Sequence, residues 1–166
     1  MNGDEAIRWT VRLAMALYVV SLAMQGLARD RAARLTWTVG CFAYLAHVAC
    51  AFHFSHHWSH AEAYASTAQQ TFAVTGLDWG GGLYANYAFT LVWIADVCWW
   101  WAGIERYRER PGAATRLIHG YLAFIAFNAT VVFVAGPVRW IGLTATMLLA
   151  ILWTRQVLTS ARDKHV

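Results

Sequence analysis

Charge is scarce in this chain. Asp, Glu, Lys and Arg make up 13% of its 166 residues, about half the share of an ordinary soluble domain. Proline occurs only 2 times, and no segment alternates apolar and polar residues as a transmembrane β-strand does. Three cysteines, Cys41, Cys50 and Cys98, fall inside apolar runs, and an odd set of buried thiols argues against a disulfide framework. No nucleotide-binding loop, nucleophile elbow or zinc-protease motif is present. The net charge of +4 does not signal nucleic acid, because the basic residues lie in short clusters between apolar runs.

What remains is 59% hydrophobic, with 10 tryptophans. That composition implies an all-α, polytopic integral membrane helical bundle, a single transmembrane domain over residues 1–166. Five runs approach the ~20 residues that a bilayer crossing needs: Ile7–Leu27, Leu35–Phe54, Leu83–Ile104, Leu117–Ala135 and Val138–Leu158. Gly136-Pro137 separates the last two, which form an antiparallel pair; the count falls to four if one of them is re-entrant. The first run is not read as a signal peptide, given its acidic start, the late Arg12 and the lack of a clean small-residue cleavage site.

The arginines set an orientation. One set of connections holds Arg29, Arg31 and Arg34, then Arg106, Arg108, Arg110 and Arg116, then Arg155, Arg162 and Lys164. The opposite set holds Arg139 and the N-terminal pair Arg8 and Arg12, and residues 55–82 carry no Lys or Arg. Positive residues stay cytoplasmic. The N-terminus is therefore expected outside and the C-terminus inside, in a cell inner (plasma) membrane. Trp58, Trp79, Tyr84 and Tyr87 would mark the outer interface, and Trp99, Trp100, Trp101 and Tyr107 the inner one.

The most unusual stretch is His47-Val-Ala-Cys-Ala-Phe-His53-Phe-Ser-His56-His57-Trp-Ser-His60. On a continuing helix His53, His56, His57 and His60 share one face, a stripe roughly 10 Å long. Imidazole is the commonest protein metal ligand, and pairs four residues apart can grip one ion. These four residues, with His47 deeper in the second span, are the candidate ligands of an outward-facing transition metal: zinc, copper or iron. Glu62 and Asp78 flank the stripe and could complete the sphere or act as a base. The segment from His56 to about Phe72 either extends the second helix or forms a surface helix. Gly76-Leu-Asp-Trp-Gly-Gly-Gly82 then returns the chain to the third span, and its glycines suit a turn or a close backbone approach.

Asp96 is the second signal. A carboxylate near the middle of a span costs several kcal/mol unless it is paired, protonated or hydrated. Its candidate partners are His47, Asn128, Thr130, Arg139 or a second chain. His119, at the inner end of the fourth span, reads as an interfacial histidine.

His53-Phe-Ser-His56-His57 resembles one histidine box of the membrane fatty-acid desaturases and hydroxylases. Those enzymes spread their iron ligands over several boxes on the cytoplasmic side, whereas this chain has one, on the opposite side, so it is not assigned to them. Haem is disfavoured, because no second histidine lies at matching depth on a facing helix. The expectation is a metal-dependent membrane enzyme or redox protein. Two alternatives stand: a metal or proton transport component, and an accessory structural subunit of a respiratory or photosynthetic complex. Membrane lipid, a homo-oligomer or a larger membrane complex are the partners such a chain would have.

Overall fold

The computed structural model describes residues 2–134 and 136–162, with side chains described as far as Thr154. The helices are α1 (Gly3–Gly26), α2 (Asp30–Phe54), α3 (His60–Thr75), α4 (Gly82–Ala102), α5 (Ile104–Arg108), α6 (Gly112–Phe127) and α7 (Pro137–Arg162). A π-helical turn, Asn128–Val132, extends α6. There is no strand among the described residues.

Each of the five apolar runs is largely a long helix, the fourth as far as Val132, and Ala135 lies outside the described residues. Four of them, α1, α2, α6 with its π turn, and the described part of α7, are long and apolar enough to cross a membrane. The fifth, α4, has 21 residues, about 31 Å at ordinary helical rise. It carries Asn86 and Asp96 among tryptophans and tyrosines, side chains with an apolar body and a polar tip.

Local chemistry sets the boundaries. The Asn2 amide donates to Glu5 Oε2 at 3.3 Å across the first turn of α1. Both prolines sit at helix starts, Pro111 just before α6 and Pro137 as the first residue of α7, where a missing N–H costs nothing. Gly76 closes α3 with φ +76°, a left-handed cap that suits glycine.

The long helices close a ring. α1 and α2 form an extensive hairpin, α4 packs on α2 and on α6, and α7 lies against the π turn and α1. Small residues allow the close approaches. A Cβ on Gly40 would sit 3.2 Å from Leu17 and Trp93, and one on Gly142 would sit 3.0 Å from Thr130. The interior is aromatic: Tyr18, Trp37 and Trp93 meet with ring centroids 5.1–5.6 Å apart, joined by Tyr44 and Phe89. Large apolar side chains such as Phe42, Leu91, Leu117 and Ile141 point outward, the reverse of a water-soluble bundle and the arrangement lipid requires. The chain is an all-α helical membrane protein.

Successive long helices run between two ends. At one end Asp30 pairs with Arg108, and Arg34 lies over the Trp101 ring at 4.2 Å. The α1–α2 and α4–α6 connections are therefore neighbours, as their shared arginines suggest. Arg155 and Arg162 fall where side chains are not described, and Lys164 lies outside the described residues. At the other end Gly3 abuts the Phe54 ring, and α3 lies along the first turns of α4.

The expected histidine helix is broken there. α2 stops at Phe54, and a turn follows in which His57 and Trp58 have φ +46° and +60°, a conformation bulky residues rarely adopt. α3 starts afresh at Ser59, whose Oγ accepts the Glu62 amide at 3.2 Å. The cause is readable in Ser59-His-Ala-Glu62: a serine followed three residues later by a glutamate is a helix-start signature, and it interrupts the stripe. Of the two expectations for this segment, the separate surface helix is the one observed.

Candidate functional site

Asp96 points into the bundle and is 1% exposed. Such a carboxylate must find partners nearby, and three arrive from different places. Trp37 on α2 donates its indole N–H to Oδ2 at 3.0 Å. Tyr107 on α5 donates its hydroxyl to the same oxygen at 3.1 Å. Arg110 pairs with Oδ1 through a guanidinium nitrogen. The partners expected from sequence, His47, Asn128, Thr130 and Arg139, are not the ones used. His47 instead bonds the Ile7 carbonyl oxygen at 3.1 Å, tying α2 to the start of α1. Asn128 and Thr130 bond main-chain carbonyls one turn back on their own helix.

The backbone makes this possible at Gly103. Its φ of +155° ends α4 and turns α5 back, so that Tyr107 and Arg110 return to a carboxylate one helix earlier. Only glycine adopts that conformation without strain. Arg110 is 8% exposed, and each of its nitrogens is engaged. Besides Asp96, Nε donates to Thr115 Oγ1 at 2.9 Å and a terminal nitrogen donates to His119 Nε2 at 3.0 Å. Its guanidinium carbon lies 4.0 Å from the Tyr107 ring centroid. Tyr107 in turn stacks on Trp100 with centroids 4.3 Å apart and planes within 1°. Cation, phenol and indole form one pile that holds the arginine in place. Burial and the adjacent Asp96 raise the Tyr107 hydroxyl far above its usual range, which keeps it a donor.

His119 is the residue the sequence reading placed at the interface, and it is 4% exposed. Its ring sits 5.7 Å from Trp37 and 6.2 Å from Trp153. Because arginine can only donate, Nε2 must accept, which puts the ring proton on Nδ1. Among the described residues that buried Nδ1–H has no partner. Trp100 and Tyr107, placed in a surface belt by the sequence, are buried supports of this site. The missed signal was Arg110. It counted as one loop arginine among several, yet the chain needed a cation for Asp96.

Beside this network lies a cavity of about 260 Å³. Trp100, Ile104, Tyr107 and Trp153 give it apolar walls, and Gln25, Arg110, Thr115 and His119 give it polar ones. The Asp30–Arg108 pair stands at its edge.

The outer candidates are arranged differently. His57 Nδ1 meets Glu62 Oε2 at 3.1 Å, and His60 Nδ1 meets the Tyr87 hydroxyl at 3.1 Å. His53 packs on Phe54 and Trp58, and His56 packs on Phe52. Asp78 is exposed in the loop before α4. Among the described residues no three His, Cys, Asp or Glu side chains are placed to hold a metal ion. The glycines serve internal packing: a Cβ on Gly80 would lie 2.5 Å from the Tyr64 carbonyl oxygen.

No protein-family model, curated protein or solved structure matches this chain.

Proposed function

We propose that this chain is a membrane-embedded binding protein whose ligand occupies the cavity beside Arg110 and His119. One observation carries this reading: a costly buried ion pair, Asp96–Arg110, is built to hold a histidine at the wall of that cavity. Ion pairs of this kind add little to stability relative to an apolar core, and intramembrane ionisable groups mark functional sites. The arrangement supports a one-sided site rather than a path through the protein, because Tyr44, Phe89 and Trp93 fill the bundle between Asp96 and the histidine end.

With all five long helices crossing, the arginine-rich end faces the cytoplasm of a plasma membrane, and the cavity opens on that side. The test is to purify the protein in mild detergent, extract it and identify retained small molecules by mass spectrometry, beside a cavity-filling variant, Gln25→Trp. A molecule held in near-stoichiometric amount by the parent and lost from the folded variant is expected. Equal retention by both, or none in either, would overturn the reading.

A further inference from the structure

The seam between α2 and α4 ends in an arginine lying over a tryptophan. Arg34 belongs to the first turns of α2 and Trp101 to the last turn of α4. The guanidinium carbon is 4.2 Å from the Trp101 ring centroid. The Trp101 indole N–H donates to Thr38 Oγ1 at 2.9 Å, one turn beyond Arg34 on the same helix. The hydrogen bond fixes the ring, and stacking on the ring fixes the guanidinium. Nε is buried, whereas the side chain as a whole is part-exposed, so the terminal nitrogens are the part that reaches the surface. Asp30, one turn before Arg34, is taken by Arg108. Among the described residues Arg34 forms no ion pair. A planar fork held in this way matches a phosphate, whose oxygens accept from two N–H groups at once.

The charge of this end favours an anion with every residue of the sequence counted. Of the 13 Lys and Arg, Arg8, Arg12 and Arg139 lie towards the other end, and of the 9 Asp and Glu, so do Asp4, Glu5, Glu62 and Asp78. The arginine-rich end therefore carries twice as many cations as carboxylates.

An apolar surface continues from Arg34 towards the middle of the bundle. By helical rotation Leu35 and Phe42 fall beside the Arg34–Thr38 face of α2, and Cys98 and Leu91 fall beside the Trp101 face of α4. All four are exposed. Phe42 lies about 12 Å along the helix from Arg34, a run that an acyl chain can follow.

We propose that this seam binds an anionic phospholipid, with its phosphate on Arg34 and an acyl chain along Phe42 and Leu91. A zwitterionic lipid offers the same phosphate but adds an ammonium, which the surplus of cations repels. The seam shares no lining residue with the cavity, so either site stands if the other falls.

Delipidated full-length protein in a non-ionic detergent is titrated with phosphatidylglycerol or with phosphatidylcholine of the same acyl chains. Native mass spectrometry counts the bound lipid and reads the oligomeric state. The parent should prefer phosphatidylglycerol by roughly fivefold or more, and Arg34→Gln should weaken that binding roughly fivefold, the worth of one arginine near a membrane surface. Arg34→Lys keeps the charge but not the planar fork and should fall between the two. Arg116→Gln removes another exposed arginine from the same end and should leave binding close to that of the parent. Each variant is checked for a parent-like unfolding transition.

Equal affinity of the parent for the two lipids would overturn the inference without any variant. Equal losses in Arg34→Gln and Arg116→Gln would replace the site with diffuse surface charge. Displacement of the lipid by glycerol phosphate at matched concentration would make the ligand a soluble phosphate. A dimer of the delipidated parent that Arg34→Gln dissociates would put a second copy of the chain on the seam instead.

Discussion

Arg110 and Asp96 lie 14 residues apart in sequence and meet side chain to side chain in the interior of the bundle. The chain between them reverses at Gly103, so that a residue from the arginine-rich connection becomes the counterion of an intramembrane carboxylate. That pairing fixes α5 on α4 and, through His119, fixes α6 as well.

Breaking the pair should cost far more than removing it. Asp96→Asn or Arg110→Gln alone leaves a charge buried without its partner and should lower stability by about 3–5 kcal/mol. The double variant should regain at least half of that. Unfolding in mixed micelles with denaturant measures it, and strictly additive losses would mean that the two residues are not coupled.

Trp37 works through Asp96. Trp37→Phe removes one hydrogen bond to a charged acceptor, a loss of about 1.5–3 kcal/mol. On an Asp96→Asn background the same change should cost about half as much or less. The double-mutant cycle reads the coupling directly.

Two glycines should respond in opposite directions. Gly80→Ala drives a methyl group to 2.5 Å from the Tyr64 carbonyl oxygen and should destabilise the contact between α3 and α4 by about 1–3 kcal/mol. At Gly120, inside α6, a Cβ meets nothing within 4 Å, and Gly120→Ala should be stabilising by about 0.5–1 kcal/mol. Parallel thermal melts decide both.

The outer histidines carry a separate expectation. Elemental analysis of the purified parent beside the His53→Ala/His57→Ala/His60→Ala variant tests the metal expectation at that end. Stoichiometric metal in the parent that disappears in the variant would place a metal site there, and equal content in both would mean that these residues hold no ion.

Orientation is open to direct labelling. In a background lacking Cys41, Cys50 and Cys98, Asp78→Cys should react with an impermeant maleimide in intact cells. Glu109→Cys should react only after the membrane is opened. Labelling of both from outside would remove α4 as a crossing.

Much of the architecture was legible in the chain because membrane helices are specified by length and apolarity, and both are local properties. Each of the five apolar runs is largely helix, and the arginine clusters of the α1–α2 and α4–α6 connections do lie together. Asp96 was also legible, since its cost follows from its position in a span. Its partner was not. Arg110 looks like any other loop arginine until Gly103 turns the chain back, and His119 looks interfacial until Arg110 takes up its Nε2.

The histidine stripe is divided between two helices for a related reason. Helical spacing aligns side chains only while the helix continues, and Ser59 and Glu62 begin a new one. Taken by itself, the sequence determined that the chain is helical, where the helices lie and which residues bear an unusual cost. Tertiary structure alone decided which of those residues meet, because buried charges are satisfied across helices, by groups whose distance in sequence says nothing of their distance in space.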